Sequence, residues 1–159
     1  RLVTGTNRTL YVPVDVRPRP WAYAFDGRLN DLADFLQRHA IQVERLREPV
    51  QVRAEKFRLT SIEWADEPYQ NHLNATPTVE LVPEQMQLPE GTYLVRMTQN
   101  AARLIGELME PDTDDSIVAW NFLDHSIPSQ RALQNPERPY FLPIYRIMAE
   151  APVQATLVE

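Results

Sequence analysis

The chain has 159 residues, 43% of them hydrophobic and 24% charged, with a formal net charge of −6. That is enough apolar material for one domain with a core of its own, and the acidic balance argues against a nucleic-acid partner, which needs clustered Lys and Arg to meet phosphate. The absence of cysteine removes disulfides, thiolate nucleophiles and cysteine zinc sites.

Lys56 is the lone lysine, and the arginines are scattered among acids and prolines, as in "ERLREP" and "RPRPW". No apolar run reaches membrane-spanning length and no signal peptide is evident, so no membrane span is expected. The chain opens at Arg1 rather than methionine, as a processed product or a piece of a longer protein would.

Fourteen prolines against four glycines fall mostly between periodic segments, where they punctuate elements. Leu10, Val12, Val14 and Val16 alternate with polar residues and Pro13, the pattern of an edge strand. Trp21, Tyr23 and Phe25 alternate with alanines, which predicts a short strand with three aromatics on one face. Helical spacing of Leu32, Phe35, Leu36 and His39, with Asn30 or Asp26 as N-cap, predicts a helix over about 29–40. "IQVERL" reads as the strand that completes a small β-α-β unit.

"PVQVRAEKFRLTSIEW" predicts a long strand whose phase changes near Lys56 and Phe57, as at a bulge. Residues 65–77 read as a polar loop, "TVELVPEQMQL" as a further strand, and "LPEG" as a type I turn leading into the strand "TYLVRM". Ala101, Leu104, Ile105 and Leu108, at i, i+3, i+4 and i+7, predict a second helix over about 99–109, capped by Thr98 and stopped by Pro111. "SIVAWNF" reads as a buried strand, the stretch from Asp124 as loop, and "LPIYRIM" as the last strand. The expected fold is α+β, or open α/β, with a mixed sheet and two main helices in a single domain spanning 1–159.

Four carboxylates, Glu110, Asp112, Asp114 and Asp115, crowd the stretch after the second helix. "DTDDSIVAWNFL" lacks the glycine and the late oxygen ligands of a calcium loop, and a helix C-terminus is the wrong end for carboxylates to gain from the dipole. An exposed acidic turn is therefore expected. His39, His72 and His125 lie far apart without the spacing of a zinc motif, and no GxSxG or phosphate-binding glycine loop exists. No catalytic or metal-ligating residue is assigned on this basis. Trp21, Tyr23 and His72 are retained as binding candidates, the rings for stacking on a peptide or sugar.

The run "LPEGTYLVRMTQNAARLIGELMEPDTDDSIVAWNFLD", residues 88–124, resembles a signature found downstream of the catalytic domain in bacterial zinc carboxypeptidases of the carboxypeptidase A type. Gly91, Gln99, Arg103, Glu110, Pro111, Asp115, Trp120, Asn121 and Phe122 occupy signature positions. "RPWAYAF" and "LADFLQRHAIQVERL" resemble further segments of those proteins, with Ala40 where a glycine is usual, and "YQNH" stands where an aromatic residue followed by Glu-Gly-His is expected.

The zinc-binding histidine and glutamate of that family, three apart, and its catalytic glutamate are absent here. The resemblance thus implies a noncatalytic C-terminal region of a metallocarboxypeptidase-like protein. This fragment would carry no cofactor; zinc would lie in a peptidase domain N-terminal to it, and peptide would be the parent's substrate. It also implies a periplasmic or extracellular location. Two other readings stay open: an independent peptide- or glycan-binding module using exposed aromatics, and an enzyme built on the 110–115 carboxylates.

Overall fold

The computed structural model describes residues 16–158. The predicted strand at Leu10–Val16 lies almost entirely outside them. A seven-stranded sheet runs in the order β4-β3-β6-β1-β5-β2-β7, formed by β1 (Ala22–Phe25), β2 (Glu44–Leu46), β3 (Val50–Trp64), β4 (Ala75–Leu88), β5 (Tyr93–Arg96), β6 (Tyr140–Ile147) and β7 (Ala155–Leu157). The helices are α1 (Asn30–Arg38), α2 (Ala102–Met109) and the short α3 (Gln130–Leu133).

Each strand pairing is antiparallel, which corrects the expectation of a mixed sheet and leaves a strand-rich α+β domain. The β-α-β unit is present, but β5 lies between β1 and β2 and opposes both. With α2 leading from β5 towards β6 on the other side of β1, these four strands form the split β-α-β arrangement. The long β3–β4 hairpin extends the sheet beyond β6.

Alternation along β1 sets the two faces. Tyr23 and Phe25 point to the side where Leu32, Leu36, Ile105 and Met109 of the helices pack, while Ala22 and Ala24 join Leu46, Val52, Leu94 and Ile147 on the other. The first three aromatics do not share a face: Trp21 packs on the alanine side, under the Arg96 guanidinium at 4.9 Å from its ring centroid.

The phase change in β3 has a different cause from the one its sequence implies. Val52 and Ala54 are buried on the alanine side and Phe57 and Leu59 on the helix side, so an unbroken alternation is buried first on one face and then on the other. A register shift against β4 between Leu59 and Ser61 then returns Ile62 to the helix side. A separate shift against β6 falls between Lys56 and Arg58, at the position read as a bulge.

Other departures are local. The N-cap positions of the two helices are Leu29 and Ala101, without side-chain caps, so neither Asn30, Asp26 nor Thr98 caps them; the Asn30 amide oxygen instead accepts the Tyr93 hydroxyl at 2.8 Å. The turn at Pro89–Thr92 has Gly91 at φ +83°, the third-position geometry of a type II rather than a type I turn. Gly27 packs against it so closely that a Cβ there would lie 2.3 Å from the Gly91 carbonyl oxygen. "SIVAWNF" is not a strand. It is a series of tight turns, closed by Trp120 N–H to Ser116 O and Phe122 N–H to Ile117 O, that buries Ile117, Val118 and Ala119 in succession. The final strand is β7, not β6.

Candidate functional site

The acidic stretch divides between an internal ion network and a surface groove. Tyr23, Arg146 and Glu55 are cross-strand neighbours in one row of the sheet on its helix side. Arg146 is 1% exposed, and the sequence carries the signal for this: it follows Leu142 and Ile144 in the inward phase of β6. Its guanidinium pairs with Glu55 and donates to the Pro18 carbonyl, and Nε lies 2.9 Å from Glu110 Oε1, within ion-pair range but not aligned for a hydrogen bond.

Glu110, at the end of α2, accepts the Tyr23 hydroxyl at 2.5 Å and Arg17 Nη1 at 3.1 Å. Arg17 also grips Asp112 through two bonds of 2.9 and 2.5 Å. Burial foremost, then the charge of Glu110, push the Tyr23 phenol up, so it stays a donor. Burial opposes the Arg17 charge, but Asp112 and Glu110 outweigh it and raise the guanidinium pKa. Glu110 and Asp112 are thus both held by arginine, which corrects the exposed acidic turn for Glu110; Asp112, Asp114 and Asp115 are exposed. A carboxylate paired on both oxygens is poorly placed for proton transfer, so the network reads as a brace rather than a reaction centre.

The groove has a volume of about 760 Å³ and is assembled from five places in the chain. Asp31, Phe35 and His39 come from α1, and Leu104 and Leu108 from α2. Asp115, Trp120, Asn121 and Phe122 come from the turns, His72 from the tip of the β3–β4 hairpin, and His125 from the 3-10 turn that follows. All three histidines therefore line one groove despite their separation in sequence. Among the described residues, no group of three or more His, Asp or Glu side chains is placed to hold a metal ion.

Backbone geometry delivers these groups. At the hairpin tip Gln70 and Asn71 have φ of +50° and +68°, as a two-residue type I′ turn requires, and Tyr69 and His72 close it with bonds of 2.8 and 2.9 Å. Asn121 has φ +69°; its amide lies 3.2 Å from His72 Nδ1 through Oδ1 and donates to Leu73 O at 2.9 Å through Nδ2, tying the turns to the hairpin. The Trp120 indole donates to Asp115 Oδ1 at 3.2 Å, with the His72 ring edge-on at 5.4 Å and Tyr69 at 6.4 Å. Phe35 contacts Phe122 at 4.5 Å and His39 at 4.4 Å.

Of the residues singled out from sequence, Asp115, Trp120, Asn121, Phe122 and His72 thus come together in the groove. Tyr23 is buried in the network, which corrects its candidacy as a stacking ring, and Trp21 lies on the opposite sheet face. Gln99 clamps a backbone segment: its oxygen accepts Gln42 N–H at 2.7 Å and its amide donates to Gln42 O and Arg96 O. Gly91 serves its turn, Pro111 is buried after α2, and Arg103 is exposed on α2. Sequence reasoning does not single out Phe35 and Leu104 as groove residues; Leu104 shares the apolar spacing of α2 yet is 37% exposed.

No protein-family model matches the chain, and no solved structure matches it. Among curated proteins it is 28% identical over 111 residues to Carboxypeptidase 2 of Trichophyton rubrum, a match covering 70% of the chain and 21% of that relative. It is 27% identical over 141 residues to Carboxypeptidase 2 of Trichophyton tonsurans and of Trichophyton equinum, covering 81% of the chain and 26% of each. The chain thus spans about a quarter of the length of these relatives and is similar to a part of a carboxypeptidase. These relatives are fungal, so they bear on the carboxypeptidase likeness and not on the bacterial one. Among the described residues no helix is long and apolar enough to cross a membrane.

Proposed function

We propose that this chain is a noncatalytic C-terminal accessory domain of a zinc metallocarboxypeptidase-like protein. It would support the stability of the peptidase domain, access of peptide to it, or its attachment. The observation that carries this is the partial match: most of the chain aligns with only a quarter of each Carboxypeptidase 2. The ion network agrees with it, because its carboxylates are spent on arginines that fix the chain leading into β1 and the end of α2. Zinc would belong to the parent's peptidase domain, and that domain would be the intramolecular partner.

The test is made in the longer protein. Glu110→Ala there should shorten the half-life of peptidase activity on heating while leaving zinc content and kcat/KM at low temperature unchanged. Loss of zinc or of kcat/KM with an unchanged half-life would overturn the accessory role.

A second reading, an independent peptide- or glycan-binding module, is favoured by the groove alone. Trp120 and Phe122 are half-buried in it and Tyr69 is 61% exposed beside it, so rings are offered to solvent at one place.

A further inference from the structure

The groove combines three chemistries. Phe35, Leu104, Leu108 and Phe122 supply apolar walls, Asp31 and Asp115 supply carboxylates, and His39, His72 and His125 supply imidazoles. Apolar walls take up an aliphatic or aromatic side chain, and the two exposed carboxylates at the groove favour a cation over an anion. Imidazole is the side chain that ordinarily changes charge between pH 5 and 8. With the histidines neutral the lining and the adjoining Asp124 carry three negative charges; with all three histidines protonated that balance falls to zero.

We infer that this groove is a pH-gated binding site for a peptide segment that carries a cationic side chain next to an apolar one, open at mildly alkaline pH and closed in acid. The inference deepens the binding-module reading and rests on it.

The groups facing the imidazoles agree with this sign. His39 shares α1 with Asp31, His72 lies beyond Trp120 from Asp115, and α2 contributes only Leu104 and Leu108 to the lining. Asp124, beside the groove, interacts electrostatically with both His125 and His72. Arg28 lines an adjoining crevice with His125 but is paired with Asp26 at 2.7 Å, so it adds little positive charge to compete with a cationic ligand.

The test is isothermal titration of the purified chain with three blocked peptides, Arg-Phe-Arg, Gln-Phe-Gln and Glu-Phe-Glu, at pH 8 and pH 5. Expected is about tenfold or greater preference for Arg-Phe-Arg over Glu-Phe-Glu at pH 8, and loss of that preference at pH 5. The exposed pair Asp31→Asn with Asp115→Asn should erase the preference but keep Gln-Phe-Gln binding, and His39→Gln with His125→Gln should extend Arg-Phe-Arg binding into acid. Binding of all three peptides with equal affinity, or without change between the two pH values, would overturn the inference and leave the binding module standing. If no peptide binds, or an oligosaccharide binds instead, the inference falls, and in the former case the peptide module falls with it.

Discussion

At the scale of single residues, backbone conformation sets one cost that a substitution can relieve. Ala40 ends α1 with φ +58°, a left-handed conformation that costs an L-residue with a Cβ about 1–2 kcal/mol and a glycine almost nothing. Ala40→Gly should stabilise the chain by up to about 1 kcal/mol after the added freedom of the unfolded state is subtracted, read as a rise in urea midpoint with unchanged slope. Glu110 is the opposite case. Removing it leaves Arg146 paired with Glu55 but takes the acceptor from the buried Tyr23 hydroxyl, so Glu110→Ala should cost about 1–3 kcal/mol by the same measurement. Asp124 tests the sign of an unfavourable burial. Desolvation raises its pKa, against pull from an Asn121 hydrogen bond and the charges of His125 and His72. A carboxyl raised in the folded state favours folding only below its ordinary range, and that contribution disappears as pH rises through the folded value. Asp124→Asn should therefore raise Tm at pH 7 and leave it nearly unchanged at pH 3.

At the scale of elements, periodicity was informative where one face of an element meets the core. It located α1, the long strand β3, α2 and β6, because each has a burial pattern that repeats at 2 or 3.6 residues, while β1, buried on both faces, was marked only by the alternation of aromatics with alanines. It failed for residues 116–122, where consecutive Ile117, Val118 and Ala119 are all buried and the run has no period to separate strand from turn. It also missed the direction of pairing, since an antiparallel neighbour that is distant in sequence leaves no mark on either strand. The Gln99 clamp is a third kind of case: a polar side chain at a helix approach whose role depends on a backbone segment 57 residues away. Gln99→Ala removes three hydrogen bonds, but Gln42 is exposed and water takes the freed N–H and O, so it should cost about 0.5–1.5 kcal/mol and speed amide exchange at Gln42 selectively.

At the scale of the whole molecule, the sheet topology decides what is internal and what is offered to a partner. The row Tyr23, Arg146 and Glu55 crosses three adjacent strands, and Glu110 descends on it from α2 while Arg17 reaches it from the chain before β1. This joins the start of the described chain to its acidic stretch. The groove lies elsewhere, where the hairpin tip meets the helices, and none of its convergence was legible in sequence: 33 residues separate His39 from His72, and 53 separate His72 from His125. Only the fold brings them together. What sequence did carry was the likeness of residues 88–124 to carboxypeptidases, and the comparison with Carboxypeptidase 2 supports that at the level of a shared part. The central claim is that this part lacks the chemistry of the whole. It is tested most directly by measuring zinc content and release of C-terminal residues from peptides for residues 1–159 alone and for the longer protein extended toward its N-terminus. The account predicts zinc and hydrolysis in the longer protein and neither in the shorter one; stoichiometric zinc with hydrolysis by the 159 residues alone would contradict it.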